Sequence, residues 1–491
     1  MINFSNVNDL MFPGLPVLSE EPRILASKPI SVCHNETVPT PSIPQGFADS
    51  NAYLRHLVHE GAINRFGCPI PKEVEERLNQ ELSLIEKKGF ANYIIFVWDA
   101  MKSARESLDK CLITVLHNYA LCSMVNYVLN ITSINPITHH LPFEMFVNDA
   151  TKGIPDICID VDEDSKEKFI ALMKEKYGNR MAPLFYEHKR KSDGQYVKNF
   201  FYSKWTIAER NIDELMPMCE AYDEKREEHI HCPIFSRDQW YEIFERGAAI
   251  QTIMSWRALT TINRMVRKIE PHWSNVDRQK FLDAIPLDDP ATMDLFRKGD
   301  TEDIYYFESE DMRKVLTDMQ PSSWMDLVVP VSLSGSSDEK AQLRHEIIRR
   351  KRSGEYINYP IPAMADVLDE TYGILLYREQ LIHLAHKLGN LSLFDARAMS
   401  FAMCRLRRDH DLVMNHYLPM FVKGGCEKGY PQDLLEQIFT SWWQHGGFSK
   451  IFSKCHDTGL AMTAYQMAYL KAHYPTEWTE LQILKAIFHR P

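Results

Sequence analysis

From Asn51 onward, apolar residues recur at three- and four-residue spacing. AYLRHLVHEGAINRFG, PKEVEERLNQELSLIEKKGF and ANYIIFVWDAMKSAR each predict a helix with an apolar face, the second opened by a proline at its start. The period then changes to two. In PDICIDVDED, residues 155–164, alternation predicts a strand with Ile157, Ile159 and Val161 on one face and Asp156, Cys158, Asp160 and Asp162 on the other. KEKFIALMKEKYG is an amphipathic helix behind it. Residues 179–240 are polar and without steady period, and RGAAIQTIMSWRALTTINRMVRKI returns to core-like character. From IPLDDPATMDLF the pattern is mainly helical to the end, broken by the loop SLSGSSDE at 332–339. Residues 1–50, rich in proline and short polar residues, read as an extended lead-in. No internal repeat or low-complexity tract interrupts this order.

A length of 491 residues accommodates two to four domains. Hydrophobic content of 45% and charged content of 25% exclude global disorder. The net charge of −11 means that any nucleic-acid role needs a local basic patch. No apolar run approaches the roughly 20 residues of a membrane helix, and MINFSNVNDLMFPGLP lacks the basic head and apolar stretch of a signal peptide. Ten cysteines without a CxxC pair fit reduced thiols, so a cytoplasmic location without membrane partners is expected.

The acidic strand carries the candidate chemistry. Nucleotidyl transfer places two metals about 3.5–4 Å apart, and strand residues i and i+2, about 6.6 Å apart, can converge on them. Cys158 interrupts that comb, and a thiolate prefers soft metals to magnesium. Five collinear stretches resemble one family. They are EVEERLNQELSLIEKKGFANYIIFVWDAMKSARE at 73–106, PLDDPATMDLF at 286–296, YYFESEDMRKVLTDMQP at 305–321, TYGILLYREQLIHLAHKLGNLSL at 371–393 and AYQMAYLKAHYPTEW at 464–478. Together they resemble the C-family replicative DNA polymerases, the α subunit of bacterial DNA polymerase III, over roughly residues 50–480. The resemblance implies an α+β fold: a C-family polymerase-like palm with a small mixed sheet, a reduced thumb insertion and a mainly helical fingers region. The implied parts are the lead-in (1–50), palm (51–178 and 241–285), thumb (179–240) and fingers (286–491), with the family's flanking modules expected to be absent.

Carried over residue by residue, the resemblance places the family's metal-binding aspartates at Asp156, Cys158 and Thr252, and a further acid at Asp160. No Asp or Glu lies between Glu245 and Glu270 to replace Thr252. LHNYALCS at 116–123 stands where the family has a glycine- and serine-rich phosphate loop, and Tyr119 and Leu121 are too bulky for close approach. Ser400 and Phe401 stand in place of two arginines, while Arg405 and Arg407 keep some basic character; GSSD at 335–338 replaces a RPGP-like turn. The reading is a non-catalytic pseudo-polymerase needing no cofactor: a binding or scaffold protein with a replication-associated protein partner, or a mimic of the α subunit, in a short form that suits a phage gene. Two alternatives stay open. One is an active polymerase using Asp156, Asp160 and Asp162 with magnesium in altered geometry. The other is a DNA-binding module acting through Lys189, Arg190, Lys191, Arg349, Arg350, Lys351, Arg405 and Arg407.

Plainer roles are expected elsewhere. Cys158 reads as a small buried hydrophobe, against a soft-metal site with Asp156 and Asp160. Asp160, Asp162, Glu163 and Asp164 read as a solvated strand end entering a helix N-terminus. HIHC at 229–232 reads as a surface loop rather than a zinc site, and His456 beside Cys455 as a retained family residue rather than half of a dyad. Trp442 and Trp443 read as helix core, and RHEIIRRKRSG at 344–354 as a solvated helix face or a phosphate contact.

Overall fold

Three helices of 17 residues open the described chain: α1 (Ser50–Phe66), α2 (Lys72–Lys88) and α3 (Ala91–Ser107). Asp49 caps α1 by accepting from the Ala52 amide at 2.8 Å. Gly89 ends α2 at φ 71°, a conformation that costs glycine nothing. Helix α3 buries Tyr93, Ile94, Ile95, Phe96 and Val97 in succession, so its first half is enclosed on all sides. The computed structural model describes residues 43–488, apart from 150, 152, 190–195, 216–217, 224–227, 237–247, 336–337, 405–408 and 445–451. They fall into two compact units, one comprising residues 43–285 with 474–488, the other 286–473.

In the first unit, β1 (Ile113–Thr114), α4 (Met124–Val128), β2 (Ile159–Val161) and α5 (Lys166–Tyr177) follow in turn. Next come β3 (Met181–Lys189), β4 (Tyr196–Ala208), β5 (Met218–Asp223), β6 (Glu228–Ser236) and β7 (Ala248–Ser255). All seven strands form one sheet in the order β1-β2-β7-β4-β3-β6-β5. It is mixed: β2 runs parallel to β7, with Ile159 opposite Ile253, and β4 antiparallel to β7, with Lys204 opposite Thr252. Strands β3–β6 come from the irregular 179–240 segment and extend that sheet outward. Leu184, Trp205, Ile207 and Cys232 are among their buried apolar residues. HIHC, expected in a surface loop, lies on β6, where alternation sends buried Cys232 to the face opposite His229. Helices α6 (Arg257–Ile269) and α7 (Asn275–Asp283) complete this stretch.

The second unit is helical, as its periodicity predicts. Its helices are α8 (Pro290–Lys298), α9 (Glu310–Met319), α10 (Met325–Ser332), α11 (Asp338–Ser353), α12 (Arg378–Gly389), α13 (Leu393–Cys404), α14 (Leu418–Glu427), α15 (Gln432–Gln444) and α16 (Lys454–His473). Trp442 is core, with its ring 5.1 Å from Phe421 and 5.9 Å from Phe439. Cys455 is buried while His456 faces outward, so the two share no site. The last helix, α17 (Pro475–Phe488), belongs to the first unit and packs on α6 through Lys268 and Glu480, 2.5 Å apart. Among the described residues, no helix is long and apolar enough to cross a membrane.

Asp457 sits buried in the second unit, accepting a hydrogen bond from the Ser332 hydroxyl, whose oxygen also lies 3.0 Å from the Tyr377 hydroxyl. Burial pushes its carboxyl up to about 7. The unfolded chain ionises Asp457 near pH 4 while the folded chain keeps it protonated. Stability is therefore expected to fall as pH rises from about 4 to about 7, then level off, by on the order of a few kcal/mol. Urea unfolding of the parent and of Asp457→Asn at pH 4.5 and 7.5 checks this. The parent should lose more stability than the variant over that interval, and equal losses would refute the assignment.

Candidate functional site

The acidic strand does not present its carboxylates as a set. β2 lies between β1 and β7, so both its edges are paired; Ile159, Asp160 and Val161 are all buried, so both its faces are covered as well, and Asp160 and Asp162 are fully buried rather than solvated. Each bonds the chain around β1. Asp160 Oδ2 accepts from the Leu116 amide at 2.8 Å, and Asp162 Oδ2 from the Leu112 amide at 2.8 Å. Asp160 Oδ1 also lies 2.8 Å from His117 Nδ1. These two acids fasten the 112–117 segment to the sheet. Glu163 and Asp164 are exposed as expected, and Asp164 is engaged by a two-pronged contact from Arg264 at 2.9 and 2.6 Å, which holds its carboxyl below the ordinary range.

Asp156 belongs to a separate cluster. Thr252 Oγ1 donates to Asp156 Oδ1 at 3.0 Å, across 96 residues of sequence. Lys204 Nζ donates to Thr252 Oγ1 at 2.6 Å and stands 3.9 Å from Asp156 Oδ2. The sequence reading singles out Asp156 and Thr252 together, but not Lys204, which reaches them only because β4 pairs with β7 in this register. Cys158 is 4% exposed. Burial, then the charges of Asp160 and Asp156, push its thiol well above the ordinary range, so it stays protonated in the metal-free protein.

The stretch after β1 is equally closed. Residues Tyr119–Cys122 make a single tight turn whose Ala120, Leu121 and Cys122 are buried. The N-terminus of α4 receives Glu81, a fully buried carboxylate that accepts from the Ser123 hydroxyl and the Met124 and Val125 amides at 2.8, 2.9 and 3.0 Å.

Two of the described basic candidates are engaged inside the protein. The Arg350 side chain is 1% exposed, bonding Glu346 at 2.7 Å and the Tyr372 carbonyl at 2.9 Å. Lys351 donates to Asp326 at 2.7 Å and to Ser322 at 2.8 Å. These two are internal ion-pair partners, contrary to a solvated face, because α11 turns them toward residues 322–326 and 372. Arg349 is 40% exposed, with Glu346 at 2.7 Å. Lys189 lies on β3, and Arg190, Lys191, Arg405 and Arg407 fall outside the described residues. Ser400 is buried, and the Phe401 ring lies under the guanidinium groups of Arg378 and Arg397, at 4.9 and 4.6 Å.

Residues 52–264 match the bacterial DNA polymerase III alpha NTPase domain, and residues 258–429 the bacterial DNA polymerase III alpha subunit finger domain. The chain is a DNA polymerase III alpha-related protein. It is 27% identical over 512 residues to the DNA polymerase III subunit alpha of Halalkalibacterium halodurans, covering 91% of this chain and 44% of that protein. Identity is 25% to the corresponding subunit of Aquifex aeolicus (88% and 43% covered) and 25% to the error-prone DNA polymerase of Vibrio parahaemolyticus (90% and 48% covered). The chain thus spans less than half the length of these relatives. Against the polymerase III alpha pattern of metal-binding aspartates, the donor set here fits a magnesium pair poorly. It offers one carboxylate (Asp156), a protonated thiol (Cys158) and a neutral hydroxyl (Thr252), with the ammonium of Lys204 among them.

Proposed function

We propose that this DNA polymerase III alpha-related chain does not incorporate nucleotides and acts as a binding or scaffold protein for a replication-associated protein partner. One observation carries the reading. Lys204 places a fixed positive charge 3.9 Å from the Asp156 carboxylate and bonds Thr252, where the polymerase chemistry requires carboxylates gathered around metal ions. A cation held there repels a second one and satisfies the only carboxylate of the three positions. The use of Asp156, Asp160 and Asp162 together is disfavoured by their placement, since Asp160 and Asp162 each give one oxygen to a backbone amide 44 and 50 residues away, while Asp156 pairs with Thr252 in a separate cluster. The net charge of −11 favours a protein partner over a DNA-binding role.

Primer-template DNA, the four deoxynucleotides and magnesium should give no extension above blank, and Asp156→Ala should behave as the parent does. Template-dependent extension that disappears in Asp156→Ala would overturn the proposal.

A further inference from the structure

We propose that His117, Cys158 and Asp160 form a binding site for a soft or borderline divalent cation of the zinc class. His117 Nδ1 is 2.8 Å from Asp160 Oδ1, Cys158 Sγ is 4.0 Å from the same oxygen, and all three ligand atoms lie within 4.8 Å of one another. A tetrahedral zinc with ordinary bond lengths needs its donors about 3.3–3.8 Å apart. The observed separations bracket that spacing, so the ion fits with side-chain movements of under about 1 Å. A nitrogen, a sulfur and an oxygen donor suit zinc and not magnesium, which demands oxygen ligands in octahedral array.

Three further features belong to a built site. Asp160 is held from behind by the Leu116 amide on Oδ2, leaving Oδ1 turned toward the other two donors. The His117 ring is steadied by the Trp256 ring, 4.2 Å away between centroids. The charge also balances. On binding, the thiol proton leaves to solvent, the imidazole carries its proton on Nε2, and thiolate and carboxylate together neutralise the two positive charges. That matters where Cys158 and Asp160 are 4% and 0% exposed, because an uncompensated ion there would be costly. The soft-metal alternative read from sequence grouped Cys158 with Asp156 and Asp160, and the ligand set proposed here keeps Asp160 but not Asp156. Asp156 is instead committed to Thr252, and His117 supplies the missing donor from across the sheet edge.

The test uses the full chain, loaded with zinc, dialysed against metal-free buffer and assayed for metal by mass spectrometry. Parallel cobalt loading reads the sulfur-to-cobalt charge-transfer band. The parent and Cys426→Ser, which alters an exposed thiol away from the site, should each retain one zinc. Titration should release about one proton per ion bound. Cys158→Ser should abolish the cobalt band and weaken zinc by more than the ~10–100-fold that loss of an outer partner costs, and His117→Gln should weaken it comparably. Circular dichroism confirms that each variant is folded, and either variant suffices if the other is not. No retained zinc in the parent, or unchanged zinc in a folded Cys158→Ser or His117→Gln, overturns the proposal. Zinc retention and primer extension are read separately, so either can fail without the other.

Discussion

Asp326→Ala should lower the unfolding free energy by about 3–5 kcal/mol, the cost of removing one partner from a buried ion pair. Its carboxylate is 1% exposed and accepts from the Ser322 and Ser323 amides at 2.8 and 3.0 Å, from Lys351 at 2.7 Å and from the Tyr372 hydroxyl. The variant leaves the Lys351 ammonium, 12% exposed, without a counterion. Burial alone would raise the Asp326 carboxyl. The hydrogen bonds from Lys351, Tyr372 and Ser322 outweigh it and hold the group below the ordinary range. The sign follows from linkage: this contribution is present above about pH 4 and is lost as falling pH protonates the folded carboxylate. Urea unfolding followed by circular dichroism at pH 7, repeated at acid pH, should show a large deficit for the variant at neutrality that narrows on acidification. A neutral-pH loss under about 1 kcal/mol would show that the network is not structural.

Glu81→Ala should cost a similar amount, about 3–5 kcal/mol, in the other unit. The side chain is fully buried and accepts from Arg77 Nε at 2.7 Å, besides the three donors at the start of α4. Its loss strands two amides, a hydroxyl and part of a guanidinium, each a polar group removed from water without an acceptor. Glu81→Gln should cost less, since its amide oxygen replaces one of the two acceptors. Lys72→Ala, which breaks a pair between side chains 88% and 61% exposed, should be nearly silent. Equal effects from the buried and exposed substitutions would refute this account.

Periodicity alone makes most of the architecture legible. The helices announce themselves by three- and four-residue spacing, and β2 by alternation. Alternation assigns faces but not cover, so it cannot tell that both faces of β2 are enclosed. That is why Asp160 and Asp162 read as solvated when they are buried fasteners. Charge on a helix face is similarly ambiguous. RHEIIRRKRSG contains Glu346 four residues before Arg350, but the carbonyl of Tyr372 and the carboxylate of Asp326, which draw Arg350 and Lys351 inward, are remote in sequence. The pairing of Asp156 with Thr252 is legible through the family resemblance, which aligns both positions with one metal site. Lys204 is not, because no motif contains it and only strand register brings it there.

Lys204 also bears on how this site responds to substitution. An aspartate placed at position 252 would meet an ammonium already within reach, and a salt bridge would form. One placed at 158 would set a new carboxylate beside Asp160, in surroundings that already hold the neutral thiol protonated. A single lysine on a neighbouring strand thus biases position 252 toward ion pairing rather than toward holding a metal.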